Sequence, residues 1–200
     1  MRARLLLLLG GALLGACTTN APAPAQYDFG LPPTAIAPSG PPLPLRDAAI
    51  TVSAPPWLDT PALLYRPADA APAALEAYAH SAWVGAPAAL LQQRLREAAA
   101  LRRAGAAPAL PMRLRVALDE FSQVFAQGHS SRGLLRAHVQ LISVADDGVS
   151  RERSFVVEVP APSNDAAGAL AALRLAADAF TAQVLDWAAA PADPAVPRSP

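Results

Sequence analysis

The chain has 200 residues, enough for one modest domain or for a smaller domain with tails. Its 16 cations are all arginine and balance 16 acidic residues, while 53% of the residues are hydrophobic and only 6% aromatic, alanine being the largest share of the apolar content. A neutral chain without lysine lacks the clustered positive charge on which phosphate affinity depends, which argues against nucleic-acid binding. One cysteine excludes a disulfide framework and a thiolate metal cluster, and 22 prolines mark part of the chain as linker.

The first segment accounts for the cysteine. Arg2 and Arg4 form a basic start, and an apolar run extends from Leu5 to Ala16. That run is shorter than the roughly 20 residues needed to cross a bilayer, and it has the flanks of a signal-peptide core. It ends in Leu14-Gly15-Ala16-Cys17, which resembles the bacterial lipobox: an aliphatic residue, two small residues that let the peptidase approach, then the cysteine that is acylated. Residues 1–16 are therefore expected to be a lipoprotein signal peptide, with Cys17 the lipidated first residue of the mature chain. Several acyl chains on one residue make a firm anchor, since each buried methylene contributes about 0.8 kcal/mol. Thr18 stands where an aspartate commonly retains a lipoprotein in the inner membrane, so the expected location is the outer membrane. Loss of Arg2 and Arg4 leaves 14 cations against 16 anions, so lipid and not a polybasic patch holds the protein to its membrane.

Residues 17–46 read as a Pro-rich linker interrupted by a short β-like island, Tyr27-Asp28-Phe29-Gly30. If nothing in it docks, this linker reaches about 90 Å at about 3.3 Å per residue. Regular structure is expected over 47–190. Ile50, Val52 and Ala54 alternate with Thr51 and Ser53 as a short half-buried strand, and Ala62 to Arg66 suggests a second. Pro87 suits the first turn of a helix running to Ala104, with Gly105 as its stop. Its apolar stripe is Leu91, Leu95 and Ala98, flanked by Leu90 and Leu101, with Gln92, Gln93, Arg96 and Glu97 outward. The period then changes to two. Met112, Leu114, Val116 and Leu118 alternate with polar residues, and the phase slips at Glu120 and Phe121 as a bulge requires. Leu135 to Leu141 and Phe155 to Val159 alternate likewise, joined through an Asp147-Gly148 turn. After Pro160 and Pro162, a cap at Ser163, Asn164 or Asp165 opens a last helix whose stripe is Leu170, Leu173, Ala177, Phe180, Val184 and Trp187. Residues 191–200 form a Pro-rich tail. The expected fold is α+β: a mainly antiparallel sheet with two helices packed on one face.

Catalytic constellations are hard to find. Gly128-His129-Ser130-Ser131-Arg132-Gly133 places Arg132 where a nucleophile elbow needs glycine, and it joins two antiparallel strands where the elbow joins strand to helix. Asp119 and Glu120 are adjacent on a strand and so point to opposite faces, which defeats shared acid–base work. His80, His129 and His138 are scattered, no metal-ligand spacing occurs, and Asp146-Asp147-Gly148 is too short for a calcium loop. No glycine-rich phosphate cradle appears. The reading is a protein without catalytic residues, metal or cofactor. Trp83 and Trp187 read as core, whereas Trp57, in a Pro-rich segment, is a candidate surface contact.

In order along the chain, these features resemble the ABC-type transport auxiliary lipoproteins, the PqiC-like family. The lipobox is followed by Tyr27-Asp28-Phe29-Gly30, similar to that family's Tyr-x-Leu-Gly strand. Pro56-Trp57-Leu58-Asp59-Thr60-Pro61 looks like its Leu-Asp-Arg-Pro segment, with Thr60 in place of the arginine. Leu63 to Arg66 and Trp83 with Leu90 correspond to the strand and the Trp-Ala-Glu-Pro-Leu stretch that follow, and Ser81-Ala82 lack the arginine often found there. The resemblance implies a non-catalytic outer-membrane lipoprotein facing the periplasm of a Gram-negative bacterium. Its partners would be an MCE-domain protein and the ABC and permease components that move lipid between the two membranes. The domain would dock the periplasm-spanning partner, with Tyr27, Trp57, Leu58 and Asp59 as candidate contacts, and a ring-like homo-oligomer would suit a collar around that partner's tip. The same four residues also suit a packed domain edge. Two other roles stay open from sequence: an envelope-assembly lipoprotein that partners an outer-membrane β-barrel, and a lipid carrier with an apolar cavity between sheet and helices.

Overall fold

A computed structural model describes residues 22–32, 43, 45–68, 73–103, 112–127, 130–145 and 147–190. The signal segment, the lipobox with Cys17, most of the Pro-rich linker, Gly105, His129, Asp146 and the tail lie outside the described residues. Among the described residues, seven strands and two helices occur in the order β1 (Ala25–Tyr27), β2 (Leu45–Ser53), β3 (Ala62–Arg66), β4 (Glu76–Trp83), α1 (Pro87–Arg103), β5 (Met112–Ala126), β6 (Ser130–Ser143), β7 (Val149–Pro160) and α2 (Ala166–Ala189). The fold is α+β, with one mixed seven-stranded sheet and both helices packed against it.

The β5-β6-β7 meander is the largest antiparallel part of the sheet. Its alternation drives it: Leu114, Val116, Leu118, Leu135, Ala137, Val139, Leu141, Phe155 and Val157 are all buried, and their period of two puts them on one face. The phase slip is present as a register shift between Leu118 and Glu120. Asp119 is the extra residue, left exposed, and Glu120 falls opposite Arg136.

The rest of the sheet is less antiparallel than the sequence suggests. β2 and β3 run parallel to β5 along the same edge, β2 beside Leu114–Ala117 and β3 beside Gln123–Val124. β3 pairs with β4 antiparallel, and β1 closes the edge parallel to β4. The alternation of Ile50 and Val52 marks a strand but says nothing of its neighbour's direction, which the intervening chain decides. β4 itself escapes a pattern reading because Glu76, Ala77, Ala79 and His80 are exposed, so hydrophobic periodicity is weak.

The helices bury the sheet's apolar face. In α1, Leu91, Leu95, Ala98 and Ala99 are buried. Leu101 is half exposed, and Gln92 and Arg96, expected to face outward, instead reach β2: Gln92 Oε1 accepts the Val52 N–H at 3.0 Å, and Arg96 Nη2 donates to the Ile50 carbonyl at 3.0 Å. In α2 the predicted stripe is inside, and Trp187 packs against the core's margin. Ala169, Ala172, Ala176 and Ala188 are buried too, so alanine also serves close approach to the sheet. A Cβ on Gly133 of β6 would lie 2.9 Å from the backbone of Ala172 and Leu173. By length and composition α2 is apolar enough to span a bilayer, yet 61% of that stretch is buried within the domain, as suits a core helix. Asp165 caps it, its carboxylate accepting the Gly168 N–H at 2.8 Å.

Ion pairs Arg94–Asp178 (3.3 Å) and Arg102–Asp186 (2.6 Å) step along both helices together, so α1 and α2 run in the same direction. The opposite face of the sheet is not covered by either helix. It is a mosaic of paired charges, with Arg113–Asp147 at 2.8 Å and Arg132–Glu158 at 3.0 Å.

Candidate docking surface

The surface that gathers most of the sequence-predicted contacts lies where β1 and β4 end and β3 begins. The Tyr27 carbonyl accepts the Val84 N–H, and the Pro61 carbonyl accepts the Trp83 N–H, both at 2.7 Å. These two bonds hold three segments at one end of the sheet. Just before β3, the Pro55 carbonyl accepts the N–H groups of both Leu58 (2.9 Å) and Asp59 (3.0 Å). A helical turn of this kind sends neighbouring side chains to different sides. Leu58 goes fully into the core, while Trp57 stays 47% exposed and Asp59 is exposed.

Leu58 therefore belongs to the core and is corrected as a direct contact: its role is to seat the turn that presents Trp57. Tyr27 is 42% exposed at the sheet edge, and Val84, which no sequence signal marked, is exposed beside it. Tyr27 and Val84 thus sit where β1 and β4 end, and Trp57 and Asp59 sit in the turn leading to Pro61, which is hydrogen-bonded to Trp83. Exposed Tyr and Trp are the residue types that anchor interfaces, because each offers a large rigid apolar area with a polar tip.

The polar groups elsewhere are engaged structurally. Gln123 Nε2 donates to Ser131 Oγ (2.8 Å), and Ser131 Oγ donates to Asn164 Oδ1 (2.7 Å). The Tyr78 hydroxyl donates to Gln123 Oε1, and its pKa is pushed up to about 12, mainly by burial and further by Tyr65 and Asp165. The Tyr65 hydroxyl donates to Glu76, and that hydrogen bond, ahead of desolvation, raises its pKa. Ser130, from the discounted elbow, is exposed. Glu120 does not pair with Asp119: its Oε2 accepts Arg66 Nε (3.0 Å) and Nη2 (2.7 Å). His80 is exposed, and His138 lies 3.4 Å from Glu152 on the uncovered face. Among the described residues no group of three or more His, Cys, Asp or Glu is placed to hold a metal ion.

A cavity of about 200 Å³ lies on that uncovered face, lined by Ala49, Thr51, Arg113, Arg115 and Ile142. It is smaller than the roughly 300–1,000 Å³ of small-molecule sites, and it is not between sheet and helices. There, Phe155 packs edge-on to Phe180 at 5.7 Å and to Trp187 at 5.9 Å. An acyl-chain carrier needs open apolar volume where these rings stand.

Residues 32–185 match the family of ABC-type transport auxiliary lipoprotein components. The chain belongs to that family. Its fold is similar to a crystal structure of a Xanthomonas campestris protein assigned to family DUF330, with a TM-score of 0.63 and 23% identity over 82% of this chain and 92% of that one. A second solved structure, of an uncharacterized protein, aligns with a TM-score of 0.59 and 12% identity over 82% of this chain and 97% of that one. A comparison with curated proteins returned no match. The auxiliary lipoprotein family serves ABC-type transport systems as an accessory component, and as a family of lipoproteins it places its members at a membrane.

Sequence reasoning missed one further feature of this auxiliary lipoprotein, an arginine pair beneath the N-terminal segment. Arg94 is 3% exposed and sits three residues after Leu91, inside the apolar phase of α1. A long cation in an apolar stripe needs a distant partner, and that was the available signal. Arg94 Nη2 donates to the carbonyls of Phe29 (2.8 Å) and Gly30 (2.7 Å), and Arg174 Nε donates to Phe29 (3.1 Å).

Proposed function

We propose that this chain is a non-catalytic subunit, anchored through acylated Cys17 to the outer membrane and facing the periplasm, of an ABC/MCE-type system that moves lipids between the inner and outer membranes. Its domain receives the end of a periplasm-spanning MCE-domain partner through Tyr27, Trp57 and Asp59, with Val84 beside them. The observation that carries this reading is the aromatic, half-exposed end of the sheet on a domain whose family is an accessory to ABC-type transport. Family membership supports the transport role, and the lipobox Leu14-Gly15-Ala16-Cys17 supports the anchor.

The test is affinity capture from a detergent-solubilised envelope. The wild-type protein should recover an MCE-domain protein, and the double variant Trp57→Ala/Asp59→Ala should recover about tenfold less at unchanged melting temperature, the size of a lost contact of about 1.4 kcal/mol. Absence of any MCE-domain protein from the wild-type capture refutes the docking role. In the same cells Cys17→Ser should move the protein from the membrane to the soluble fraction.

A further inference from the structure

The segment between the acylated cysteine and the domain is not free along its length. Three residues, Ala25, Gln26 and Tyr27, pair in register with Ser81, Ala82 and Trp83 at the sheet edge. Immediately after them Phe29 is 4% exposed, packed edge-on to Trp83 at 5.3 Å and tilted against Phe121 at 5.6 Å. Its carbonyl takes hydrogen bonds from arginines of both helices, Arg94 and Arg174, and the Gly30 carbonyl takes another from Arg94. Gly30 has φ of +69°, and its N–H is held by Asp28 Oδ1 at 2.8 Å. A Cβ at Gly30 would stand 2.2 Å from Arg174 Nη2. Asp178 completes the grip from below, 3.3 Å from Arg94 Nη1. An aromatic plug, a buried donor from α1, a second donor from the exposed Arg174 of α2 and a left-handed glycine together make a lock specific to this stretch of chain.

We infer that residues 25–30 are a clasp, that the leash between lipid and domain ends at Pro24, and that the β1–β4 edge is the edge held nearest the membrane. The inference rests on Cys17 being the anchor. From Cys17 to Ala25 the chain spans at most about 26 Å when extended, against about 90 Å for the whole stretch to Arg46. The clasp thus shortens the path from lipid to domain from the whole Pro-rich stretch to the residues before Ala25. Pull on the lipid is delivered to the sheet edge and the arginines of both helices, and residues 31–44 carry none of it. A docking partner must then come to within a few tens of ångströms of the bilayer to meet the domain.

The test compares two positions for one insertion. Full-length acylated protein is reconstituted in phosphatidylethanolamine/phosphatidylglycerol vesicles that contain an acceptor-labelled lipid. A donor dye is placed on His80→Cys, which is exposed on β4 one residue from the partner of Ala25; the native cysteine is blocked by acylation. Ten prolines, which add about 31 Å of stiff spacer, are inserted after Pro24 or after Pro38. Insertion after Pro24 should cut energy transfer at least twofold, and insertion after Pro38 should leave it unchanged. In a Phe29→Ala/Arg94→Ala background, with its fold checked by circular dichroism, the Pro38 insertion should now cut transfer as well. Equal loss from both insertions in the native background, or loss from neither, overturns the clasp. Flotation of the vesicles separates the two failures: protein that does not float refutes the Cys17 anchor and the inference with it, whereas floating protein with position-independent transfer refutes the clasp alone.

Discussion

Phe29→Ala measures how far the N-terminal strap belongs to the core. Phe29 is 4% exposed and meets Trp83 and Phe121 at ring distances of 5.3 and 5.6 Å. Truncating a buried phenylalanine costs about 3–5 kcal/mol through lost burial and the cavity left behind. Here a ceiling applies. β1 pairs over only three residues, so a strap that loses its plug can detach while the rest of the sheet persists, and the loss stops at the strap's own docking energy. The expected cost is therefore near the bottom of the range, about 3 kcal/mol, or roughly 6–12 °C in melting temperature for a domain of this size. Urea denaturation of the unlipidated chain from Thr18, followed by tryptophan fluorescence and circular dichroism, reads it directly. Trp83 should redden in the folded variant because its edge-on neighbour is gone. A loss below about 1 kcal/mol with native-like Trp83 emission refutes the argument that Phe29 is a core residue.

Three other outcomes follow from the same geometry. Gly133→Ala should cost about 1–3 kcal/mol, because its Cβ meets the α2 backbone, which cannot rotate aside as a side chain can; thermal melts check it. Arg66→Ala should cost about 3 kcal/mol by leaving Glu120, which is 2% exposed, without its cation, whereas Arg66→Leu/Glu120→Leu should fall within about 1 kcal/mol of wild type. Urea midpoints distinguish the pair. Asp165→Ala should lower the melting temperature at pH 7 by removing the α2 cap. The Asp165 carboxyl is held below the ordinary aspartate range, first by the Ser163 hydroxyl and then by the Gly168 N–H. Its stabilisation is thus present above the unfolded aspartate pKa and lost as pH falls through the lowered folded value. The gap between wild type and variant should close in that acidic window, and a gap that persists below it contradicts the capping role.

The residues that repeat locally were the ones pattern could read. Leu114, Val116 and Leu118, the slip before Glu120, and the α2 stripe from Leu170 to Val184 each carry their signal within one element. Trp57 was legible as a surface residue because an aromatic in a proline-rich turn has few places to hide, but its neighbour Leu58 was assigned to the same surface and lies in the core. The Pro55 turn separates the two, and nothing in the linear order Trp-Leu-Asp states which side faces inward. Arg94, Arg174 and Val84 were missed for a related reason: each acts on a residue far away in sequence.

Sequence by itself determined the α+β class, the meander, both helices, the expectation of a lipid anchor at Cys17 and the family, because periodicity, caps and the lipobox are short-range properties of the chain. Tertiary structure alone decided the parallel placement of β2 and β3 along β5, the edge strand β4 and the docking of residues 25–30. Each depends on which distant segment satisfies a backbone edge or fills a gap between side chains. Phe29 shows the difference most plainly. It lies in a linker by composition, and it is a core residue because Trp83, Phe121 and two arginines from separate helices meet around it.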